Sequence, residues 1–304
     1  MSTMRSTTAT TSSVRSNGDV IEVSNLTYRY PGSVEPAVRG MDFSVGKGEI
    51  FGFLGPSGAG KSTTQKILIG LLDGYGGQAS VWGSGPGEFG QDYYRKIGVS
   101  FELPNHYLKL SALENLNFFA SLYDGPAVEP MELLRAVGLE DDAHTRVAKF
   151  SKGMQMRLVF IRALLHGPEL LFLDEPTSGL DPTNARKVKD LILDQRAAGR
   201  TIFLTTHDMA TADELCDRVA FVVDGTISAL DSPKELKVAR SQRMVRAEYR
   251  DGGGSLLGSD FPLDGLADNA DFLDVLRRQR LETLHSKEAT LDDVFVETTG
   301  RSLR

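Results

Sequence analysis

The 304-residue sequence has a single cysteine, Cys216, and no long run of apolar residues. One thiol cannot form an internal disulfide or a zinc site built from several thiolates, and it fits a reducing compartment. Without a stretch of about 20 apolar residues, the sequence predicts no membrane-spanning helix. The formal net charge is −7, so no nucleic-acid partner is expected, although this does not exclude a local phosphate site.

Composition divides the chain into three parts. Hydrophobic residues make up 40% and charged residues 25% of the chain, which is enough for a globular core. Residues 1–18 differ, because ten of them are Ser or Thr, and we expect a disordered leader there. We expect a main domain over residues 19–235 and a small α+β accessory domain over residues 236–304.

The main domain alternates buried strands with helical segments. Strand-like apolar runs lie at residues 41–45, 49–54, 170–173, 201–206 and 219–223. This alternation predicts an α/β fold with a mostly parallel sheet covered on both faces. Short strands at 20–23 and 26–30 predict an N-terminal antiparallel β part, and helical spacing over about residues 103–165 predicts an inserted helical subdomain.

The C-terminal third has its own local signals. Asp224-Gly225 between apolar runs predicts a β-hairpin. We expect a strand at 244–249, a flexible loop at 251–260 and a helix at 271–278. In the last segment Thr290 is placed to cap a helix, with Asp293 completing a capping box and Gly300 suited to the C-terminus.

A strand leads directly into a glycine loop of sequence GPSGAGKST, and helical spacing follows it. This is the GxxxxGK[ST] pattern, in which glycines let backbone N–H groups close on phosphate oxygens beside a helix N-terminus. Lys61 is predicted to bridge the β- and γ-phosphates and Ser62 to bind Mg²⁺. The predicted nucleotide-binding residues are Gly55, Pro56, Ser57, Gly58, Ala59, Gly60, Lys61, Ser62 and Thr63.

Two acidic residues end a second buried strand, LLFLDEP, at residues 170–176. Asp174 at the strand end is predicted to reach the Mg²⁺ shell beside the phosphate loop. Glu175 is predicted to be the general base, or the water-positioning residue, for attack on the γ-phosphate. An acidic turn after a strand is common, and it is the phosphate loop upstream that favours the catalytic interpretation.

Three further elements resemble the ATP-binding cassette ATPases of ABC transporters. Residues 150–158, FSKGMQMRL, resemble the signature of that family, and residues 178–181, SGLD, resemble its D-loop, which ends in Asp181. His207, after TIFLTT, resembles the switch histidine and is expected to contact the γ-phosphate and act in catalysis with Lys61 and Glu175. The resemblance covers about residues 20–232 and implies an ATPase with ATP and Mg²⁺ as cofactors.

The family also stacks the adenine ring on an aromatic side chain. Tyr30 lies 25 residues ahead of the phosphate loop, at the position that the resemblance assigns to this role. Tyr28 is equally aromatic and two residues away, so it stays an alternative at this point.

The family arrangement further implies a homodimer. Two copies lie head to tail around two ATP molecules, and each ATP is held by the phosphate loop of one copy and the signature of the other. Ser151, Lys152 and Gly153 would therefore act in trans. In physical terms, the Ser151 hydroxyl and the N-terminal amides of the helix that follows form a second anion site.

Three positions depart from the usual family pattern. Glu102 stands where the family usually has a glutamine, and Lys152 and Met154 replace a glycine and a glutamine of the signature. We expect Glu102 to reach Mg²⁺, as a carboxylate or partly protonated, and to link nucleotide state to partner contact. The SKGM signature and the ending TLDDVFVETTGRSL resemble cassettes that work with ABC-2-type membrane subunits in drug export of the daunorubicin-resistance kind.

The resemblance therefore implies a peripheral subunit at the cytoplasmic face of the membrane that drives a separate ABC-2-type permease. An importer subunit is one alternative, and a ribosome- or DNA-associated cassette protein is another. The ribosomal proteins carry two cassettes in one chain, and the DNA-associated ones separate the cassette halves by hundreds of residues, whereas Lys61 and Asp174 lie 113 residues apart. The accessory domain has three open roles, namely dimer stabilisation, partner docking and regulation of turnover.

Overall fold

The computed structural model describes residues 18–123, 128–240, 244–250, 252–287 and 289–301, so that the predicted leader lies outside the described residues except for Gly18. The strands are β1 (Asp19–Tyr28), β2 (Val38–Gly46), β3 (Ile50–Leu54), β4 (Gly76–Val81), β5 (Ile97–Ser100), β6 (Leu170–Asp174), β7 (Thr201–Thr206), β8 (Arg218–Val223), β9 (Thr226–Asp231), β10 (Met244–Arg250), β11 (Leu256–Pro262) and β12 (Arg280–Lys287). The α-helices are α1 (Lys61–Leu68), α2 (Gln91–Lys96), α3 (Ala112–Ala120), α4 (Pro130–Ala136), α5 (Lys152–Arg162), α6 (Pro182–Ala197), α7 (Met209–Leu215), α8 (Pro233–Arg240), α9 (Ala270–Arg278) and α10 (Leu291–Thr299). Short 3₁₀ helices lie at Pro86–Glu88, Val147–Lys149 and Leu266–Asp268.

These strands form three sheets. The main sheet has the order β5-β6-β7-β3-β8-β9, in which the first five strands are parallel and β9 runs antiparallel to β8. The N-terminal sheet, β2-β1-β4, and the C-terminal sheet, β11-β10-β12, are antiparallel. The predicted α/β fold, with an antiparallel N-terminal β part, is confirmed.

An aromatic layer joins the main sheet to the N-terminal sheet. Phe51 and Phe53 of β3 point to one side of the strand and are fully buried. The ring of Phe43 on β2 lies 4.9 Å from that of Phe53, and Phe203 on β7 lies 5.1 Å from it. Because β3 is buried along its whole length, its C-terminal end, where the phosphate loop begins, has a fixed position.

The first strand differs from the prediction of two short strands. Residues 19–28 form one strand, with a register irregularity between Val23 and Leu26, where Asn25 adopts a φ of 47°. The strand ends at Tyr28 because Pro31 and Gly32 form a turn, in which the Ser33 N–H donates to the carbonyl of residue 30 at 3.0 Å. The residue predicted to stack on adenine therefore lies in the turn, beyond the strand.

The segment predicted to be helical, at about residues 103–165, contains α3, α4 and α5 and no named strand among its described residues. Ser111 caps α3 and accepts from the Glu114 N–H at 3.2 Å, and the Glu114 carboxylate accepts from the Ser111 N–H at 2.7 Å. Asn115 is fully buried and is satisfied by Tyr107 and by the Ser111 carbonyl. None of the described helices is long and apolar enough to cross a bilayer.

The C-terminal third follows the prediction in part. β8 and β9 form the hairpin predicted at Asp224-Gly225, and Thr290 caps α10 with the predicted capping box. Gly300 ends α10 with a φ of 67°. The prediction of a flexible loop at 251–260 is wrong for residues 256–260, because Leu256–Pro262 pairs with β10 along its whole length. Asp251 lies outside the described residues.

The last helix packs with the main domain, whereas the prediction grouped it with the accessory domain. Leu291, Val294 and Phe295 belong to the main hydrophobic core, and the Phe295 ring lies 5.2 Å from that of Phe221 on β8. The C-terminal sheet has a small core of its own with Phe261 and Phe272. This sheet is thus bounded in sequence by α8 and α10, which pack against each other.

Candidate active site

The phosphate loop connects β3 to α1 and needs glycine at two close approaches. A Cβ on Gly60, whose φ is 104°, would lie 2.5 Å from the Ala37 carbonyl oxygen. A Cβ on Gly55 would lie 2.0 Å from the Val222 carbonyl oxygen. Real side chains do not tolerate these distances, so the backbone reaches this conformation only with glycine at both positions.

Lys61 is the first residue of α1 and is only 7% exposed. Its ammonium group donates to the carbonyl oxygens of Gly55 and Pro56 at 2.6 and 3.0 Å, so the side chain lies across the loop. Burial lowers the pKa of Lys61 below its ordinary value, while the carboxylates of Glu175 and Asp174 oppose this change. The loop thus holds a desolvated positive charge, which suits a phosphate ligand.

The predicted metal ligands converge from different elements. The Ser62 hydroxyl at the start of α1 donates to Asp174 Oδ1 at 3.2 Å, although the two residues lie 112 positions apart. Asp174 ends β6 and also accepts from the Thr205 hydroxyl on the neighbouring strand β7. Glu102 follows β5 and is exposed, and its charge acts on Lys61 together with the other carboxylates. Hydroxyl and carboxylate oxygens are the ligands that Mg²⁺ prefers.

Glu175 and His207 lie side by side at the C-terminal ends of β6 and β7. Glu175 Oε1 is 2.8 Å from His207 Nδ1, and Oε2 accepts from the Thr206 hydroxyl at 3.1 Å. The Glu175 side chain is buried, whereas that of His207 is half exposed. Glu175 also has a φ of 50°, an unusual value for a non-glycine residue, and its N–H donates to the Thr205 carbonyl. The carboxylate is therefore held in one orientation.

The two tyrosines proposed for adenine stacking differ in exposure. Tyr28 is buried in the N-terminal core, and its ring contacts that of Tyr30 edge to face at 5.0 Å. Tyr30 is 37% exposed, and its hydroxyl lies 3.2 Å from the Thr63 hydroxyl in α1. Of the two, only Tyr30 presents an accessible ring beside the phosphate loop.

The segment that resembles the signature begins α5. Ser151 is the N-cap, and its hydroxyl accepts from the Met154 N–H at 3.2 Å. The neighbouring turn packs closely against it, because a Cβ on Gly153 would lie 3.4 Å from Leu180 and one on Gly179 would lie 3.7 Å from the Lys152 side chain. The residues predicted to form the signature and those predicted to form the D-loop therefore pack against each other.

Asp181 ends this turn and caps α6. Its carboxylate accepts from the N–H groups of Thr183 and Asn184, both at 3.1 Å. The Asn184 side chain also donates to it, and these hydrogen bonds lower the pKa of Asp181. The carboxylate is therefore charged and fixed at the helix N-terminus.

Comparison with known proteins decides the family. The family described as ABC transporter matches residues 38–178. The fluoroquinolones export ATP-binding protein of Mycobacterium tuberculosis (strain CDC 1551 / Oshkosh) is 70% identical over 291 residues, which cover 96% of this chain and 97% of that protein. The chain belongs to the ABC transporter ATP-binding proteins. It binds ATP, it is an ATPase, and the resemblance read from the motifs is confirmed.

Solved structures of ABC cassettes have the same fold. The ATP-binding subunit of an ABC transporter is 31% identical, with a TM-score of 0.65, and the match covers 72% of this chain and 92% of that one. A dimeric ABC cassette in a post-hydrolysis state, bound to ADP and Pi, is 28% identical, with a TM-score of 0.62, and the match covers 70% of this chain and 98% of that one.

A second family match falls on the C-terminal sheet of this ABC protein. The family described as fluoroquinolone efflux ABC transporter C-terminal domain matches residues 243–288. These limits follow the sheet and α9 and leave out both α8 and α10.

Sequence reasoning missed several polar partners in the ABC active site. The Thr205 hydroxyl donates to Asp174 and the Thr206 hydroxyl donates to Glu175. Their position directly before His207 is a sequence signal that could have indicated these contacts. Sequence reasoning also did not indicate that the turn between β8 and β9 lies beside the phosphate loop. Its Gly225 N–H donates to the Ala59 carbonyl of the phosphate loop at 3.0 Å, and no local sequence pattern indicates this long-range contact.

Proposed function

We propose that this ABC protein is the ATP-hydrolysing subunit of a drug exporter and binds MgATP between two copies of the chain. The observation that carries this proposal is the convergence of a desolvated Lys61, the Ser62–Asp174 contact and the Glu175–His207 pair at one end of a parallel sheet. Ligands of open α/β sheets bind at the carboxyl ends of the strands, which is where these side chains lie.

The donor set fits Mg²⁺. Ser62 and Asp174 already contact each other through oxygen atoms, and Glu102 supplies a third oxygen donor from the next strand end. We assign these three residues as the Mg²⁺ site of the ATP complex. When bound, the ion would neutralise charge on the β- and γ-phosphate oxygens.

Hydrolysis would use residues that the fold already orients. A water oxygen attacks the γ-phosphorus, one of its protons passes to Glu175, and the bond from the γ-phosphorus to the bridging oxygen breaks to release ADP and phosphate. Lys61 stabilises the charge on the β- and γ-phosphates, and the backbone amides from Gly55 to Thr63 hold the phosphate oxygens. Tyr30 would stack on the adenine.

His207 would report the presence of the γ-phosphate. With its Nδ1 donating to Glu175, a contact from Nε2 to a phosphate oxygen requires a second proton on the ring. The histidine would therefore link the γ-phosphate to the orientation of the base. Loss of the γ-phosphate after hydrolysis removes this link.

The signature would complete the partner's site. One chain supplies one phosphate loop and, at the N-terminus of α5, one further set of free amides with Ser151, Lys152 and Gly153. We propose that these residues contact the γ-phosphate held by the second copy and that Asp181 lies at the same interface. A homodimer with two-fold symmetry would then contain two complete sites.

The permease contact is proposed for the helical part of the chain. A cavity of about 250 Å³ opens between β5 and α5, lined by Phe101, Phe119, Tyr123 and Arg162. The neighbouring Leu103 is 73% exposed. We propose that a cytoplasmic helix of an ABC-2-type membrane subunit docks here, which places the ATPase on the cytoplasmic face of the membrane.

For the transported molecule we propose drugs of the fluoroquinolone class. The support is the identity of 70% with a protein named for fluoroquinolones export and the match of residues 243–288 to a C-terminal domain named for the same efflux. We expect cells that contain this chain and its permease to accumulate less fluoroquinolone than cells in which Glu175→Gln replaces the parent. Equal accumulation would contradict this substrate class but not the ATPase assignment.

The catalytic part is tested with the same variant in vitro. Glu175→Gln should lower the ATP turnover of the full-length protein by about a hundredfold or more, because the amide cannot accept the proton. It should still bind ATP and elute as a nucleotide-dependent dimer in size-exclusion chromatography with light scattering. Glu140→Gln, at an exposed position, is the matched control. Turnover at the parental rate would show that Glu175 is not the base.

A further inference from the structure

Arg301, which follows α10, contacts the turn between β8 and β9. Arg301 Nη1 donates to Asp224 Oδ1 at 2.8 Å, and its Nη2 lies 2.7 Å from Asp224 Oδ2. Two parallel bonds between a guanidinium group and a carboxylate fix the orientation of both groups. Asp224 has a φ of 49°, so its backbone is in the left-handed region that this tight turn requires.

The same turn touches the phosphate loop. The Gly225 N–H donates to the Ala59 carbonyl at 3.0 Å, and the Gly225 carbonyl accepts from the Arg39 N–H at 2.7 Å. The Ala37 carbonyl oxygen would lie 2.5 Å from a Cβ on Gly60 and 2.8 Å from a Cβ on Gly225, so both glycines approach it closely. The turn and the phosphate loop are therefore in close backbone contact.

Arg301 follows α10, a helix with one buried face. Phe295 in α10 is fully buried against β8, and Gly300 ends the helix, with its N–H donating to the Val296 carbonyl at 2.8 Å. The Arg301 N–H then donates to the Thr299 hydroxyl at 3.3 Å. The guanidinium group thus projects from an anchored backbone.

We propose that Arg301 and Asp224 are positioning residues for ATP binding. Their ion pair holds the turn of residues 224–225 against Ala59 and keeps the phosphate loop in the conformation that binds ATP. Neither side chain needs to touch the nucleotide. This inference rests on the proposed ATP site, and it gives the C-terminal end of the chain a part in nucleotide affinity.

The test measures equilibrium binding of a fluorescent ATP analogue to the full-length protein. Both side chains are about half exposed, so we expect Arg301→Gln to weaken binding by about two- to fivefold. Asp224→Asn should have an effect of the same size, because asparagine keeps the left-handed conformation but loses the bidentate pair. The KM for ATP should rise in the single variants, while kcat changes little.

Two comparisons separate positioning from general destabilisation. Arg278→Gln removes the exposed pair of Arg278 with Asp274 on α9, at 2.8 Å, and should leave ATP affinity unchanged. The melting temperature without nucleotide should be similar for Arg301→Gln and Arg278→Gln. Parental affinity in Arg301→Gln or in Asp224→Asn would overturn the inference. Lys61→Ala tests the ATP site itself, and only retained affinity in that variant would contradict the proposed function.

Discussion

Acid should destabilise this protein through one buried histidine. His106 lies between β5 and α3, its Nε2 is 2.9 Å from the Gln155 carbonyl oxygen of α5, and its buried Nδ1 has no hydrogen-bond partner among the described residues. Burial lowers the pKa of His106 to about 4, the Gln155 contact opposes this, and the nearby charge of Arg162 adds to it. The folded protein therefore keeps this ring neutral.

The size of the effect follows from proton linkage. The unfolded chain binds a proton at His106 with a pKa near 6.5, whereas the folded chain binds it only near 4. Between these values the unfolded state binds more protons than the folded state. The contribution of His106 to the free energy of unfolding is therefore fully present above the unfolded pKa and is lost as the pH decreases toward 4. Between about pH 7.5 and about pH 5.5, the free energy of unfolding should fall by about 1.3 kcal/mol from His106 alone.

The assay is urea unfolding of the parent and of His106→Asn, followed by circular dichroism at several pH values. Asparagine does not titrate and can donate to the Gln155 carbonyl, so the variant should lack the His106 part of the pH dependence. His166, whose pKa is also lowered by burial, contributes equally to both proteins. His144→Asn, at an exposed position, should behave like the parent. Parallel pH profiles for the parent and His106→Asn would refute the reasoning.

Three further substitutions test the site and the core. Glu102→Gln should change the basal ATPase rate and its dependence on Mg²⁺, and an unchanged Mg²⁺ titration would show that Glu102 does not bind the ion. Gly60→Ala should abolish ATP binding, measured by nucleotide titration, because its methyl group meets the Ala37 carbonyl at 2.5 Å. Phe295→Ala should lower the free energy of unfolding by about 3–5 kcal/mol in urea denaturation, since it leaves a cavity against β8, and a smaller loss would mean that α10 is not part of the main core.

The sequence predicted best those features that depend on local pattern. The strand before Gly55, the helix after it and the acids after β6 are each specified within about ten residues, and all lie where they were expected. The hairpin at Asp224-Gly225 and the capping box at Thr290 are likewise local, because backbone conformation in a turn or cap depends on the residues in it.

Features that depend on long-range contacts could not be predicted. β11 and β12 lack apolar alternation because much of their surface is exposed, and the strands exist through pairing with β10. The packing of α10 on β8 brings Phe295 to Phe221, 74 positions away, and no periodicity within α10 indicates that partner. The choice between Tyr28 and Tyr30 also needed the structure, since only the turn after β1 makes one ring buried and the other accessible.

The order of strands explains why these separated motifs form one site. β5, β6, β7 and β3 are consecutive neighbours and parallel, so Glu102, Asp174, His207 and the phosphate loop all leave the sheet at the same edge. The signature does not belong to this set, because it follows no strand of the sheet: it begins α5 and packs against the turn after β6 through Gly153 and Leu180. In the proposed homodimer, the signature of the second copy would contact the γ-phosphate that this strand edge holds.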